Sequence, residues 1–295
     1  MNVKTSTESA PSLNTIEVLR TVSGTRNWSR QQRATGSTIG LVPTMGALHL
    51  GHASLIRAAS ASCRSVAVSI FVNPTQFGPN EDFARYPRSF EADCALAEAS
   101  GANVVFAPSV EEMYPPGAAT FVEVEGLSKR LDGRSRPGHF RGVTTVVAKL
   151  LIAAEPDRAF FGQKDAAQVA VLRRMVGDLR IGTEIVVCPI VREPDGLALS
   201  SRNTYLSAAE RRQALVLSRT IRTVESLFAA GERNSATLIA AACSTFATEP
   251  AVRIDYIELV DWLTLKSLET AASGALFAVA AYVGTTRLID NTILD

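Results

Sequence analysis

Short apolar runs alternate along this chain with stretches that repeat at helical spacing, and that alternation restricts the fold more than any other feature. Residues 38–43 (TIGLVP) and 65–72 (SVAVSIFV) are apolar runs of strand length, and His49 to Ser62 between them reads as helical. The succession continues with a helix over 90–100, a strand over 103–106 and a helix over 143–154. A strand over 159–161, a helix over 166–178 and a strand over 184–191 complete it. Strands apolar throughout are buried on both faces, which a parallel sheet covered by crossover helices provides. The prediction is a doubly wound α/β domain over residues 1–190.

After residue 190 the pattern changes. Ser207-Ala-Ala-Glu210 is a capping box that opens a long helix toward Ala230. Residues 252–259 and 275–283 read as strands, and Gly284 opens a turn before 287–289. These elements predict a smaller α+β domain over 191–295. The first twelve residues, rich in Ser and Thr with no apolar segment, read as a frayed tail and not as a signal peptide.

Bulk properties narrow the function classes. Thirty Lys and Arg against 29 Asp and Glu leave a formal charge of +1, so no global field recruits nucleic acid or an anionic membrane. The four cysteines form no CxxC pair and read as small hydrophobes in a reducing compartment. No apolar run reaches the roughly 18 residues of a membrane span. The expectation is a soluble, cytoplasmic protein with neither a nucleic-acid nor a membrane partner.

The chain has three histidines, and two of them fall in Met45-Gly-Ala-Leu-His-Leu-Gly-His52, just after the first predicted strand. Residues three apart at a helix start share a face. Gly46 and Gly51 let backbone approach a ligand, and the helix N-terminus offers unpaired N–H groups and a positive dipole to phosphate. His49 and His52 beside those donors suit phosphate oxygens and transition-state charge. The motif alone also admits a structural pair, or a zinc site, although HLGH lacks the glutamate of HExxH and supplies only two ligands.

Other segments carry compatible chemistry. In Phe160-Phe-Gly-Gln-Lys-Asp165, Lys164 places a point charge and Asp165 suits a helix N-cap or a ribose hydroxyl. Ser200, Ser201 and Arg202 of Leu199-Ser-Ser-Arg202 can clamp a triphosphate. Asn73-Pro-Thr-Gln-Phe77 follows the second strand at the end where open α/β sheets bind ligands. Gln76 there, and Gln168 on a later helix, offer neutral amides to a hydroxyl or carboxylate. Arg136-Pro-Gly-His-Phe-Arg141 adds anion-binding capacity and holds the third histidine. In isolation the segment 160–165 reads first as an ordinary strand–helix turn, each glutamine as a surface residue, and 199–202 also as a polar loop.

Taken in order, PTMGALHLGH (43–52), FVNPTQF (71–77), YPR (86–88), RPGHFRGV (136–143), FFGQKD (160–165) and LSSRN (199–203) resemble the pantothenate synthetase (pantoate–β-alanine ligase) family along nearly the whole chain. The resemblance implies a Rossmann-like nucleotidylyltransferase domain, a smaller C-terminal domain and a homodimer. It implies pantoate, β-alanine and ATP as substrates, magnesium as the metal, and a pantoyl adenylate intermediate. By motif match the ATP site takes in Met45, Gly46, Ala47, Leu48, His49, Leu50, Gly51 and His52. Gly162, Gln163, Lys164, Asp165, Val191, Leu199, Ser200, Ser201 and Arg202 complete it. His52 matches the usual proton donor, and His49, Lys164 and Arg202 share the catalytic assignment. Gln76 and Gln168 match pantoate-binding positions, Asn73 and Arg136 support them, and Asp93 is the candidate for the magnesium region. Leu199 stands where the family commonly has Met, and Leu50 where a polar residue is frequent. Rival readings are another HxGH nucleotidylyltransferase, a tRNA synthetase fragment, which the near-neutral charge disfavours, and a silent nucleotide-binding protein, which intact His49, His52, Lys164 and Arg202 disfavour.

Overall fold

The computed structural model describes residues 16–79 and 81–295, so the tail expected over residues 1–12 lies outside the described residues. In chain order the elements are β1 (Glu17–Leu19), α1 (Val22–Ala34), β2 (Ile39–Thr44), α2 (Leu50–Ser62), β3 (Ser65–Ile70) and α3 (Phe90–Ala99). There follow β4 (Val104–Phe106), α4 (Val110–Met113), α5 (Asp132–Ser135), α6 (His139–Ala154), β5 (Arg158–Gly162), α7 (Ala166–Asp178) and β6 (Glu184–Cys188). The C-terminal elements are α8 (Ala208–Ala229), α9 (Ser235–Phe246), β7 (Val252–Asp261), β8 (Ala275–Val283) and β9 (Thr286–Leu294). No helix among the described residues is long and apolar enough to cross a membrane.

Strands β1 to β6 form one six-stranded parallel sheet in the order β1-β4-β3-β2-β5-β6. Successive residues of its strands enter different cores: Leu41, Val104 and Ala159 pack in one, Val42, Val105 and Phe160 in the other. This is the doubly wound α/β architecture that the apolar runs predicted, because a side-chain period of two feeds both covered faces.

Chain direction across the sheet reverses between β2 and β5, the place where open α/β sheets form a crevice beyond their carboxyl ends. Here the two central strands also part. β2 pairs with β5 only at Gly40 and Leu41, although it pairs with β3 as far as Thr44. Odd-numbered residues of β2 turn their main chain toward β5, as Ile39 does in accepting from the Asp157 N–H at 2.9 Å. Pro43 faces the same way, past the last pair, so its missing N–H leaves no gap in the ladder.

Beyond β6 the chain builds an antiparallel sheet, β7-β8-β9. Its one face packs on α8 and α9, bringing Phe277, Val279 and Ala281 against Leu217, Val224 and Phe228. The other face supplies Tyr256, Val260, Leu276, Ala278 and Ala280 to the same core as Phe140, Leu172 and Met175 of the first unit. Arg287 of β9 joins this contact by pairing with Asp132 of α5 at 2.7 Å and Asp255 of β7 at 2.8 Å.

Most predicted boundaries fall within a few residues of the elements. β6 stops at Cys188, not at 191, because Pro189 follows and cannot donate to the ladder. α6 starts at His139, four residues before the predicted start, after Gly138 in left-handed backbone. β1, α1 and α9 are elements that the sequence pattern does not reveal.

Candidate active site

The residues leaving β2 floor the crevice. Gly46 and Ala47 both adopt left-handed backbone, with φ of 82° and 50°, turning the chain before α2. Asp93 of α3 holds the turn from beneath. Its two carboxylate oxygens accept from the Ala47 and Leu48 N–H groups at 2.8 Å each, and the Ser89 hydroxyl donates to it at 3.0 Å. Asp93 is 2% exposed and lines neither of the two cavities described below. The carboxylate expected in a magnesium region is thus engaged by two backbone donors and a hydroxyl.

Two histidines cap α2. His49 is the N-cap, and its Nδ1 accepts from the Gly51 N–H at 3.1 Å, while Nδ1 of His52 accepts from the His49 N–H at 3.3 Å. A β-carbon on Gly51 would lie 2.8 Å from Cε1 of His49, so only glycine leaves room for this ring. Both Nδ1 atoms being acceptors, each neutral ring carries its proton on Nε2. The rings lie 4.2 Å apart. Burial, helped by the Lys164 charge, lowers the His49 pKa to about 4. Burial, helped by His49 and Lys164, lowers that of His52 to about 3. At neutral pH the pair thus offers uncharged Nε2–H donors.

Across the parted strands, the turn Gln163–Asp165 carries Lys164, which forms no ion pair among the described residues. The third wall is Val191 with Leu199, Ser200, Ser201 and Arg202. Ser200 caps the short helical turn Ser201–Tyr205 by accepting from the Arg202 N–H at 3.3 Å. The Arg202 guanidinium is held bidentately by Asp82, at 3.0 and 3.1 Å. Burial opposes its charge, yet Asp82 raises its pKa above the usual arginine value.

The neighbouring carboxylate, Glu81, holds Arg136 through Nε at 2.8 Å and through Nη2. Arg136 Nη1 lies 2.9 Å from Nε2 of His139, whose Nδ1 lies 2.9 Å from the Gln76 carbonyl. A carbonyl only accepts, so the His139 proton is on Nδ1, the opposite tautomer to the capping pair. Burial and then Arg136 lower its pKa to about 4.

Asn73 sets the Gln76 side chain. Asn73 Oδ1 accepts from the Tyr114 hydroxyl at 2.9 Å and the Thr75 hydroxyl at 3.0 Å, leaving Nδ2 to donate to Gln76 Oε1 at 3.1 Å and to the Gly142 carbonyl at 3.2 Å. The Gln76 carboxamide N–H groups are thereby directed away from Asn73, and one approaches the Met45 sulfur at 2.9 Å.

These elements enclose a cavity of about 230 Å³ that meets a larger one of about 740 Å³ beneath the β8–β9 turn. Met45, His49, Gly51, His52, Asn73, Gln76, Arg136, Gly162, Lys164, Asp165, Gln168, Val191, Leu199, Ser200, Ser201 and Arg202 all line the smaller one. Gly46, Ala47, Leu48, Leu50 and Gln163 do not: the first three form the turn behind it, Leu50 is 61% exposed, and Gln163 bonds to Asn291 of β9. Residues not picked out from sequence include Tyr86, His139, and an apolar wall of Phe71, Val143, Val146, Val147, Leu150 and Phe161. Glu81 and Asp82 escape sequence reasoning too, since their arginines lie 55 and 120 residues away. The one sequence signal for His139 is its position between two arginines.

A cavity of this make-up, open at the switch point of a doubly wound sheet, places the protein among α/β enzymes that receive an anionic substrate at the strand ends. The profile of the Pantoate-beta-alanine ligase family matches residues 17–293. A protein named pantothenate synthetase from Acidobacterium capsulatum is 67% identical over 257 residues, covering 87% of this chain and 86% of its own. The crystal structure of pantothenate synthetase from Thermus thermophilus superposes with a TM-score of 0.90 at 44% identity, over 94% of this chain and 99% of that one. A pantoate–β-alanine ligase from Francisella tularensis, complexed with β-γ ATP and β-alanine, gives a TM-score of 0.77 at 35% identity, over 94% of this chain and 97% of that one. The chain belongs to the pantoate–β-alanine ligase family.

Proposed function

We propose that this protein condenses pantoate with β-alanine at the expense of ATP, through a pantoyl adenylate, releasing AMP and pyrophosphate. The observation that carries this reading is the make-up of the cavity, whose lining combines imidazoles, an ammonium and guanidinium groups with neutral amides and an apolar wall. A triphosphate suits the charged and imidazole groups. Pantoate, with two hydroxyls and a carboxylate around a dimethyl carbon, suits the amides and the apolar wall. The relatives' names and the ATP analogue in the Francisella complex agree with it.

In the first step the pantoate carboxylate attacks the α-phosphorus, and negative charge grows on the phosphates. Lys164, Arg202 and the Nε2–H groups of His49 and His52 offset that charge, and losing one such donor typically costs about 10²–10³ in rate. Asp82 takes Nε and Nη2 of Arg202, which leaves Nη1 for phosphate. For His52 to act as proton donor, the arriving polyanion must first raise its lowered pKa, as a nearby opposite charge does. Gln76 and Gln168 hold pantoate, Asp165 takes the ribose and Val191 borders the base. In the second step the neutral amine of β-alanine attacks the adenylate carbonyl in a site closed to water.

Magnesium has no prepared cage. Among the described residues no three His, Cys, Asp or Glu side chains converge, and Asp93 is committed to backbone donors. A homodimer in the cytoplasm remains part of the proposal.

Pyrophosphate exchange into ATP tests it. Exchange is expected to require pantoate and not β-alanine. Exchange with other acids but not with pantoate would overturn the substrate assignment.

A further inference from the structure

We propose that Asn291 of β9 is a positioning residue for adenylation: it sets the Gln163–Asp165 turn so that Lys164 carries its ammonium into the cavity. The inference rests on the function just proposed. Asn291 touches neither cavity and sits in the C-terminal unit, 127 residues beyond Lys164.

The turn has few means of fixing itself. Gly162 offers no side chain as a cap, and Asp165 makes no side-chain bond at the start of α7. Asn291 supplies what is missing. Its Nδ2 donates to the Lys164 carbonyl at 2.9 Å and the Gln163 carbonyl at 3.1 Å, and its Oδ1 accepts from the Gln163 carboxamide at 3.3 Å. Asn291 is 3% exposed and its bonds to the turn are half-buried, so losing the donor leaves two carbonyls without it.

The residue before it does the same for the facing wall. Asp290 binds Arg192 bidentately at 2.7 and 2.9 Å, and its Oδ1 accepts from the Asn291 N–H at 2.9 Å. Arg192 in turn donates to the Gly196 carbonyl at 3.1 Å, closing the hairpin that leads into Leu199–Arg202. Neighbouring strand residues point to opposite faces. β9 therefore runs between segments 162–165 and 191–202 and grips one with each side chain. The width of the phosphate-binding gap is set by two residues of β9 that line neither cavity.

The experiment compares Asn291→Ala and Asn291→Ser in the full-length chain with Thr292→Val as a control. Thr292 donates to Glu225 at 2.6 Å, a bond wholly within the C-terminal unit. In pantoate-dependent pyrophosphate exchange, Asn291→Ala is expected to raise the KM for ATP about tenfold, the effect of losing two such bonds. Conversion of supplied pantoyl adenylate by β-alanine should keep its wild-type rate. Asn291→Ser, retaining one donor, should fall between, and it carries the test should the alanine variant not fold. Thr292→Val should lower the melting temperature and leave the KM unchanged. An unchanged KM in both Asn291 variants, an equal loss in both half-reactions, or the same KM rise in Thr292→Val would each overturn the assignment. Failure of the wild type to exchange with pantoate would overturn the function instead. The KM comparison would then be made with whichever acid supports exchange.

Discussion

His49 has two jobs with different chemical demands. Its Nδ1 caps a helix and its Nε2–H faces the cavity, so one substitution separates them. Asn caps helices well and does not titrate. His49→Asn is therefore expected to leave the fold intact by circular dichroism while pyrophosphate exchange falls on the order of 10²–10³. The histidines also set an acid limit. Folded pKa values near 4 for His49 and His139 and near 3 for His52 lie below the ordinary 6.5, so the unfolded chain binds more protons in between. Stability from the neutral rings is full above about pH 6.5 and is lost as pH falls through those folded values. Thermal midpoints measured from pH 7.5 down to 4.5 should drop steadily, and less steeply in His49→Asn. The spacing brought His49 and His52 together at a helix start, and both line the cavity. Their protonation was not, because it depends on burial and on Lys164, more than a hundred residues away in sequence.

At the scale of elements, the turn between β2 and α2 depends on α3. Asp93→Ala removes the acceptor of two half-buried N–H groups, at a cost of about 2–3 kcal/mol by chemical denaturation. Adenylation should weaken with it, while the magnesium concentration giving half-maximal activity stays where it was. A marked rise in that concentration would return Asp93 to the metal. In sequence a lone acidic residue on a helix looks the same whether it faces a cation or backbone amides 45 residues away. Elements themselves were legible in proportion to how evenly they bury. α6 buries most of its length and its pattern is plain. α1 buries only Thr25, Trp28 and Ser29, too narrow a stripe to register. β1 is three residues at a sheet edge, below the length at which periodicity can be read.

Over the whole molecule, the two units share one core, which a reading by segments could not show. The division expected near residue 190 describes a change of architecture; Tyr256, Val260 and Leu276 sit in the same core as Phe140 and Leu172. Residues 1–190 expressed alone should accordingly bind a hydrophobic dye and precipitate, and a soluble, cooperatively unfolding fragment would argue for independence. Arg287 is the charged counterpart of that contact. Arg287→Ala leaves Asp132 and Asp255 facing each other largely buried, and is expected to cost about 3–5 kcal/mol in urea denaturation. The carboxylates on the arginines have another consequence, for ionic strength. An arginine already neutralised by Asp82 has no solution anion to shed when a nucleotide arrives. Fewer ions are released than from a bare cationic clamp. Nucleotide affinity measured by calorimetry across a potassium chloride series should fall gently, and Asp82→Asn should make it fall more steeply. By this arrangement a highly charged ligand is bound with little sensitivity to the salt around it.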